Sequence, residues 1–570
     1  MSKQSIADKY NTWLASPKVS SKDKQILKSF SETEINDAFF RDIEFGTAGI
    51  RGIIGPGTNR INYFTIRKAV VAFAKTVLER FPDAKTRGIA IAHDNRHMSR
   101  EFTLDSAETL NRLGINTYIF NSLRPTPVLS FAVRYSNCVG GIMITASHNP
   151  KEYNGLKVYD ETGCQLVPAK LERLLEINAE LPSHIELQIE DAPHRGVNKV
   201  YGDEVDNAYI KEVEAIQLNP DLPKDNFPIV FSPQHGTSYE LGMKIFDKLN
   251  YEVHPVKSQS KPDPDFGGTP TPNPEDPRAY EEPIKLAKKV NAKIILVTDP
   301  DADRVGVAYP DEYGDYNILT GNESGTLLLH YILNERKKRG LLTPKSTVYS
   351  TIVTTAFAKK VANSHGVNYK KFLTGFRYIG EAIEQGIQTN TEQFEFGFEE
   401  SYGCLIAPFV RDKDALQALL MYAEMANYYL VNYDQNLGEA YDALQQQLGY
   451  HNDEVYSIEF PGAAGDEKMK QVMSAVRSRP YQKLISAKVV RIEDYLASEA
   501  YDKDGVTQIN LPKSDVIAYY LFNDETIIIR PSGTEPKIKF YYGVSNPSRQ
   551  YTEKRPAELH RKVMKQLGLR

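Results

Sequence analysis

The sequence predicts an α/β protein of about four units, and three observations carry that expectation. At about 150 residues per domain, 570 residues allow about four domains. Through most of the chain, short β-like runs alternate with amphipathic stretches, the pattern of βα units and mostly parallel sheets. The last quarter instead ends on β-runs and a final helix, which reads as α+β. Hydrophobic residues make up 41% and charged residues 25%, enough apolar content to bury several cores and exclude general disorder.

The elements follow in order. The first forty residues read as helix, with Ile6, Tyr10, Trp13 and Leu14 at helical spacing. A glycine-dense segment, Phe45–Arg60 (FGTAGIRGIIGPGTNR), comes next. Gly88–Asp94 (GIAIAHD) and Asn116–Phe120 (NTYIF) read as strands on either side of a helical EFTLDSAETLNRLG. Further strands are expected at Gly141–Ser147, Pro228–Pro233, Lys293–Asp299, Thr347–Ile352, Thr526–Gly533 and Lys537–Val544. Lys261–Pro283 holds seven prolines inside one unit and reads as a rigid loop.

Several classes fall on composition. With 69 basic and 74 acidic residues the formal charge is −5, signs interspersed, which argues against nucleic acid or an anionic membrane as partner. Met1–Tyr10 has no apolar core after a basic start, so no secretory signal is expected, and no apolar run of about 18 residues predicts a membrane span. The three cysteines, Cys138, Cys164 and Cys404, form no CxxC pair and fit reduced thiols in a cytosol. A cytoplasmic protein is expected.

In α/β sheets, ligands bind beyond the carboxyl ends of the strands. One such end is GIMITASHNPKEYNGLKVY, where Ser147 stands at the tip of an apolar run. Ser147 can be a nucleophile or a turn cap. His148 could support it only if a loop turns the two neighbours together, and nothing resembles GxSxG. A second end is KIILVTDPDADRVGVA, with Asp299, Asp301 and Asp303 at alternate positions. Carboxylates packed so closely repel, and a hard divalent cation relieves them. An EF-hand is ruled out, because its positions six and twelve hold Arg304 and Pro310. A third, TIIIRPSGTEPKIKF, offers Arg530, Ser532, Gly533 and Thr534, either a phosphate cradle or a tight turn. Finally, FEFGFEESYGCL sets Glu399, Glu400 and Ser401 among aromatic and small residues, a hydroxyl reader or a solvated acidic turn. Together the four suit phosphoryl transfer on a phosphorylated sugar. No G-x-x-x-x-G-K-[ST] is present, so a nucleotide loop is not expected.

TASHNP, DPDADR, GFEESYG and RPSGTEPK, in this order, resemble the α-D-phosphohexomutase superfamily, from about Glu44 to Tyr542. FGTAGIRG, LRPTP, LTGNESG and the helical N-terminal extension look most similar to its bacterial α-phosphoglucomutase and phosphopentomutase branch. The resemblance implies four domains around a central cleft: three related α/β units with mixed, mostly parallel sheets, and a C-terminal α+β domain. The expected division is 1–40 as a helical extension packed on domain I, 41–202 as domain I with a phosphoserine loop, and 203–315 as domain II with a magnesium loop. Domain III with the sugar loop is expected at 316–452, and domain IV with the phosphate loop at 453–570.

The resemblance also implies roles. Ser147 matches the serine that carries a phosphoryl group and lends an oxygen to magnesium, whose other ligands are Asp299, Asp301 and Asp303. Lys157 matches a lysine implicated in proton transfer, and Arg51 an active-site arginine, with His148 beside the serine as a further catalytic candidate. Arg304, Arg377, Glu399, Glu400, Ser401, Arg530, Ser532, Gly533 and Thr534 are expected to bind substrate. Three departures stand out: Arg377 replaces the lysine of TGFKWIG, Tyr402–Gly403 stands where some members carry histidine, and YDSRH is HDNRH at His93–His97. The expected activity is interconversion of α-D-glucose 1-phosphate and 6-phosphate through glucose 1,6-bisphosphate, with Mg2+ as cofactor. A pentose or mannose phosphate is the alternative substrate, a magnesium-dependent sugar phosphatase the alternative class. The only expected partner is a small phosphosugar; the oligomeric state is not read from the sequence.

Overall fold

The computed structural model of the chain describes residues 5–46, 49–460, 463–478, 488–532 and 537–569. It is an α/β protein whose strands form several separate sheets. The chain divides into two compact units, Met1–Thr320 with Phe376–Phe394 and Ser401–Asp434, and Gly321–Gly375 with Glu395–Glu400 and Gln435–Arg570.

The first unit begins with three short helices, Ile6–Ala15, Ser21–Ser29 and Glu32–Phe39, where helical spacing alone had suggested continuous helix. Serine caps divide them: Ser5 and Ser31 close capping boxes with Asp8 and Glu34, and Ser20 accepts from the Asp23 amide. Ser16 ends the first helix in an extended conformation, as a residue before proline (Pro17) prefers. Trp13, Leu27 and Phe39 bury against one another and against Phe64 and Ile185.

Two sheets follow in this unit. One runs in the order Ile50–Ile53, Tyr153–Asp160, Gly140–Ile144, Ile89–His93, Thr117–Phe120, Asn198–Tyr201. Its last four strands are parallel, and Tyr153–Asp160 is antiparallel to both neighbours. Ile89–His93 and Gly140–Ile144 are buried throughout, as central parallel strands covered on both faces are. The helices Tyr63–Arg80 and Pro168–Glu180 pack into this core through residues such as Phe73, Val77, Leu171 and Leu174. A second sheet runs Tyr316–Leu319, Val305–Pro310, Ile294–Thr298, Ile229–Ser232, Val253–Pro255, with the last three strands parallel.

In the second unit, Asn368–Phe372 pairs in parallel with Ser346–Thr351, and Glu395–Phe398, the part of the strand Gln393–Phe398 that belongs to this unit, lies on the other side of Ser346–Thr351. The C-terminal sheet has seven strands, Tyr450–Glu459, Lys537–Asn546, Thr526–Pro531, Ile517–Leu521, Val489–Asp494, Glu499–Asp502 and Gly505–Gln508, and is antiparallel throughout. The helix Arg549–Leu567 covers it through Leu559 and Val563, the expected α+β ending. No helix among the described residues is long and apolar enough to cross a membrane. All three cysteines are buried free thiols.

Candidate active site

The strand expected to run to Ser147 stops at Ile144. Thr145 to Tyr153 turn back instead, with Ser147 in the left-handed region at φ 53°. That turn solves the problem of neighbouring side chains pointing apart, because it brings Ser147 Oγ to 3.2 Å from His148 Nδ1. Ser147 Oγ also donates to Asp299 Oδ2 at 2.8 Å. Burial, then Arg304 and Arg51, hold the His148 imidazole well below its usual pKa, so the ring is neutral.

Asp299, Asp301 and Asp303 leave the end of the buried strand Ile294–Thr298 in a tight loop. Gly236, from the turn after Ile229–Ser232, is what lets this loop sit so low. A Cβ there would lie 2.5 Å from Pro300 Cα and O. The Lys157 ammonium lies between two of the carboxylates, 2.8 Å from Asp301 Oδ2 and 3.2 Å from Asp303 Oδ2. Burial opposes ionisation of Lys157, but Asp301, Asp303 and Asp412 outweigh it and raise its pKa. Burial followed by Asp301 and Asp303 pushes Asp299 well up. Burial would also raise Asp303, yet Lys413, Lys157 and Arg304 together hold it below the carboxylate range.

Two arginines frame the cluster. Arg51, on the strand Ile50–Ile53, donates to Asn149 Oδ1 at 2.6 Å. Arg304 pairs with Glu275 of the proline-rich loop, and its Nε is 3.7 Å from Asp303 Oδ1. Also in the first unit, Arg377 is buried, its guanidinium lies over the Tyr378 ring, and its carbonyl accepts from Cys164 Sγ.

The second unit holds Glu399, Glu400, Arg530 and Ser532. Glu399 Oε1 accepts from the Gly375 amide at 2.8 Å. Glu400 Oε2 is 3.5 and 3.4 Å from the hydroxyls of Thr351 and Thr354. Burial, then Glu399, pushes the Glu400 carboxyl up, against Arg530 and Lys539. Arg530 NH1 is 3.5 Å from Tyr541 Oη, and the Ser532 amide donates to the Lys537 carbonyl at 2.8 Å. Gly533 and Thr534 lie outside the described residues. Ser401 follows Glu400 directly in the chain but is counted in the first unit.

Comparison with known proteins places this geometry in a family. Models of phosphoglucomutase/phosphomannomutase α/β/α domains I, II and III match residues 42–183, 207–314 and 320–448. The chain belongs to the phosphoglucomutase/phosphomannomutase family. A phosphoglucomutase of Staphylococcus aureus (strain bovine RF122 / ET3-1) is 39% identical over 531 residues, covering 92% of this chain and 94% of that one. A second, from strain MSSA476, is 38% identical over 524 residues, 91% and 92% of the two chains. Two solved structures share the fold at 17% identity. A family protein from Burkholderia thailandensis has a TM-score of 0.67 over 92% of this chain and 97% of its own. Parafusin, a phosphoglucomutase of Paramecium, in its open form, has 0.64 over 93% and 96%. The protein is therefore a mutase, an isomerase of the phosphoglucomutase/phosphomannomutase family.

For this mutase the aspartate loop meets the requirements of a metal centre. One ligand oxygen from each of Asp299, Asp301 and Asp303 lies within 4.8 Å of the others. Asp301 Oδ1 and Asp303 Oδ1 are buried without a hydrogen-bond partner among the described residues. An all-oxygen set of buried carboxylates with oxygens to spare fits a hard divalent cation.

Sequence reasoning missed four contributors. Lys413 lies 3.5 Å from Asp303 Oδ2, and Gly403 leaves room for its stem, since a Cβ there would meet Lys413 Cδ at 2.1 Å. Its FVRDKDA segment offers no motif beyond alternating charge. Thr126, inside LRPTP, donates to Asp301 Oδ2 at 3.0 Å, and its amide to the Asp301 carbonyl at 2.9 Å. Asp94 and Arg96 of the unexplained HDNRH segment lie beneath the Ser147 turn.

Proposed function

We propose that this enzyme moves a phosphoryl group between the 1- and 6-positions of α-D-glucose phosphate, with Ser147 as carrier and glucose 1,6-bisphosphate as intermediate. The observation that carries the reading is Ser147 Oγ at 2.8 Å from Asp299 Oδ2, on a left-handed turn above three buried aspartates. Relatives named phosphoglucomutase support glucose as the sugar. Domain bounds at residues 41, 203, 316 and 453, with residues 1–40 as an extension, are part of the same proposal.

In the first half-reaction the bond from phosphorus to Ser147 Oγ breaks as the bond to a sugar hydroxyl oxygen forms, and the hydroxyl loses its proton. The second half-reaction is the reverse, from the other phosphate of the bisphosphate, after that ligand has turned over. Asp299, Asp301, Asp303 and a phosphoserine oxygen would hold Mg2+, which when bound neutralises charge on the transferring group. The chain's own groups do the rest. Arg51 and Arg304 put positive charge beside the aspartates and Ser147. His148, kept neutral, can take a proton at Nδ1; Lys157, whose aspartates hold its proton tightly, supplies a fixed positive charge and N–H donors beside them rather than a labile proton. Glu399, Glu400 and Ser401 accept from sugar hydroxyls. Arg377, Arg530, Ser532, Gly533 and Thr534 bind the substrate, the last four holding the phosphate that does not transfer.

Phosphorus NMR tests this on purified enzyme with Mg2+ and a trace of glucose 1,6-bisphosphate. Glucose 1-phosphate, mannose 1-phosphate and ribose 1-phosphate are supplied separately. Conversion of the anomeric phosphate signal into the 6-phosphate signal, fastest for glucose, is expected. Faster conversion of mannose or ribose phosphate reassigns the sugar, and growth of inorganic phosphate replaces the mutase with a phosphatase.

A further inference from the structure

The turn that carries Ser147 is closed around one buried guanidinium. Arg96 NH2 donates to the carbonyls of Ser147 (2.6 Å) and Asn149 (2.5 Å), and NH1 to those of Pro150 (2.7 Å) and Tyr153 (3.1 Å). Its side chain has no exposure, its Nε is 3.3 Å from Asp94 Oδ2, and its guanidinium lies over the Phe266 ring at 5.2 Å. Asp94 in turn accepts from the Thr145 hydroxyl (2.7 Å), the Ser99 hydroxyl (2.7 Å) and the Arg96 amide (3.0 Å). The Thr145 hydroxyl accepts from the Ser147 amide at 2.8 Å. Both sides of the Ser147 backbone, amide and carbonyl, are thus tied to the Asp94–Arg96 pair.

This arrangement has a consequence for the amides. In a trans peptide the C=O and N–H point in opposite directions. A Ser147 carbonyl held on Arg96 therefore turns the His148 N–H to the other face, and a Pro150 carbonyl held there does the same for the Lys151 N–H. Neither amide has a hydrogen-bond partner among the described residues. A backbone donor left free beside a nucleophile is the element from which oxyanion sites are built.

We propose that Arg96 is a positioning residue for phosphoryl transfer at Ser147. It holds the serine in its left-handed conformation and keeps the His148 amide free to donate to the transferring phosphoryl oxygens. The proposal rests on the reading of Ser147 as phosphoryl carrier. Simple turn closure does not call for a guanidinium, whose burial is costly; satisfying four carbonyls from one side chain does. Lysine offers three donors around a point charge and cannot reproduce the planar fork.

The test is Arg96→Lys in the full-length enzyme with Mg2+. Intact-mass spectrometry follows the gain of one phosphoryl group from glucose 1,6-bisphosphate, and steady-state assays give kcat and KM for glucose 1-phosphate. A fall of about 100-fold in phosphorylation rate and in kcat, with KM within about threefold of wild type, is expected of a mispositioned nucleophile. A wild-type phosphorylation rate overturns the proposal, as does a loss that only follows the folded fraction measured by near-UV circular dichroism. Should Arg96→Lys not fold, Asp94→Asn loosens the guanidinium from one side and is expected to slow phosphorylation about tenfold at unchanged KM; a wild-type rate there overturns the proposal too. Wild-type enzyme that takes no phosphoryl group on Ser147 overturns the parent reading, and this one with it.

Discussion

The Ser147 cluster of the first unit and the glutamate loop of the second are both rich in buried charge, but they are held differently. Around Ser147, several of the ion pairs and hydrogen bonds are short: 2.8 Å from Ser147 to Asp299, 2.8 Å from Lys157 to Asp301, 2.6 Å from Arg51 to Asn149. Around Glu400 the contacts are long, 3.4 and 3.5 Å to two threonine hydroxyls, and its pKa is raised by burial and then by another carboxylate, Glu399. Phosphoryl transfer depends on positioning, so its groups are fixed in advance. Recognition of sugar hydroxyls can leave acceptors partly unpaired until a donor arrives, at the cost of keeping a carboxylate destabilised in the free protein.

If that contrast is right, the largest effect comes from the fixed region. Ser147→Ala is expected to lower mutase turnover by at least about 10⁴-fold, the scale of losing a covalent nucleophile, with the fold unchanged by circular dichroism. Retained activity would move the reaction centre away from this cluster. Next comes the metal loop. Asp303→Asn removes one of three carboxylates and is expected to weaken Mg2+ binding by at least about 100-fold in titration calorimetry. In the wild-type protein a cation at about a hundred times its dissociation constant adds about 2.7 kcal/mol to the fold that holds it, a rise in Tm that EDTA reverses. That rise is expected to vanish in Asp303→Asn at the same Mg2+ concentration. An undiminished rise would mean that the aspartate loop does not hold the stabilising ion.

The same contrast explains how much was legible in the sequence. Period and strand-end position sufficed for the βα alternation, the α+β ending and the Asp299–Asp303 loop, because an apolar run that empties into polar residues marks its own ligand side. Geometry that depends on single backbone angles was not legible. The strand was expected to reach Ser147 but ends at Ile144, and only the left-handed turn brings His148 to the serine. Nor was the support: Arg96 and Thr126 lie in HDNRH and LRPTP, which stand out in the sequence without showing that they reach the serine and aspartate loops, and Lys413 reaches the cluster from a segment with no motif at all. In the N-terminal forty residues, helical spacing was visible, while the serine caps that split it into three helices weigh only about 1 kcal/mol each and are easily overlooked.

The smallest expected effect lies in the glutamate loop, and pH separates it from the rest. Because the Glu400 carboxyl is pushed above its ordinary value of 4.5, it takes up a proton at a higher pH than an unfolded glutamate does. By linkage the fold binds more protons than the unfolded chain as pH rises above 4.5, so this group's contribution to stability declines with rising pH through that window. Its ionised form, the better acceptor for a sugar hydroxyl, is the one the free protein disfavours. KM for the sugar phosphate is therefore expected to rise as pH falls toward the carboxylate range, beyond the change that the substrate's own phosphate causes. In Glu400→Gln that extra rise should disappear, leaving a pH-independent loss of about tenfold in kcat/KM, with Mg2+ binding and Ser147 phosphorylation by the bisphosphate unchanged. A variant that instead lost phosphorylation of Ser147 would show that the loop takes part in positioning as well, and that the two regions are less distinct than their hydrogen bonds make them.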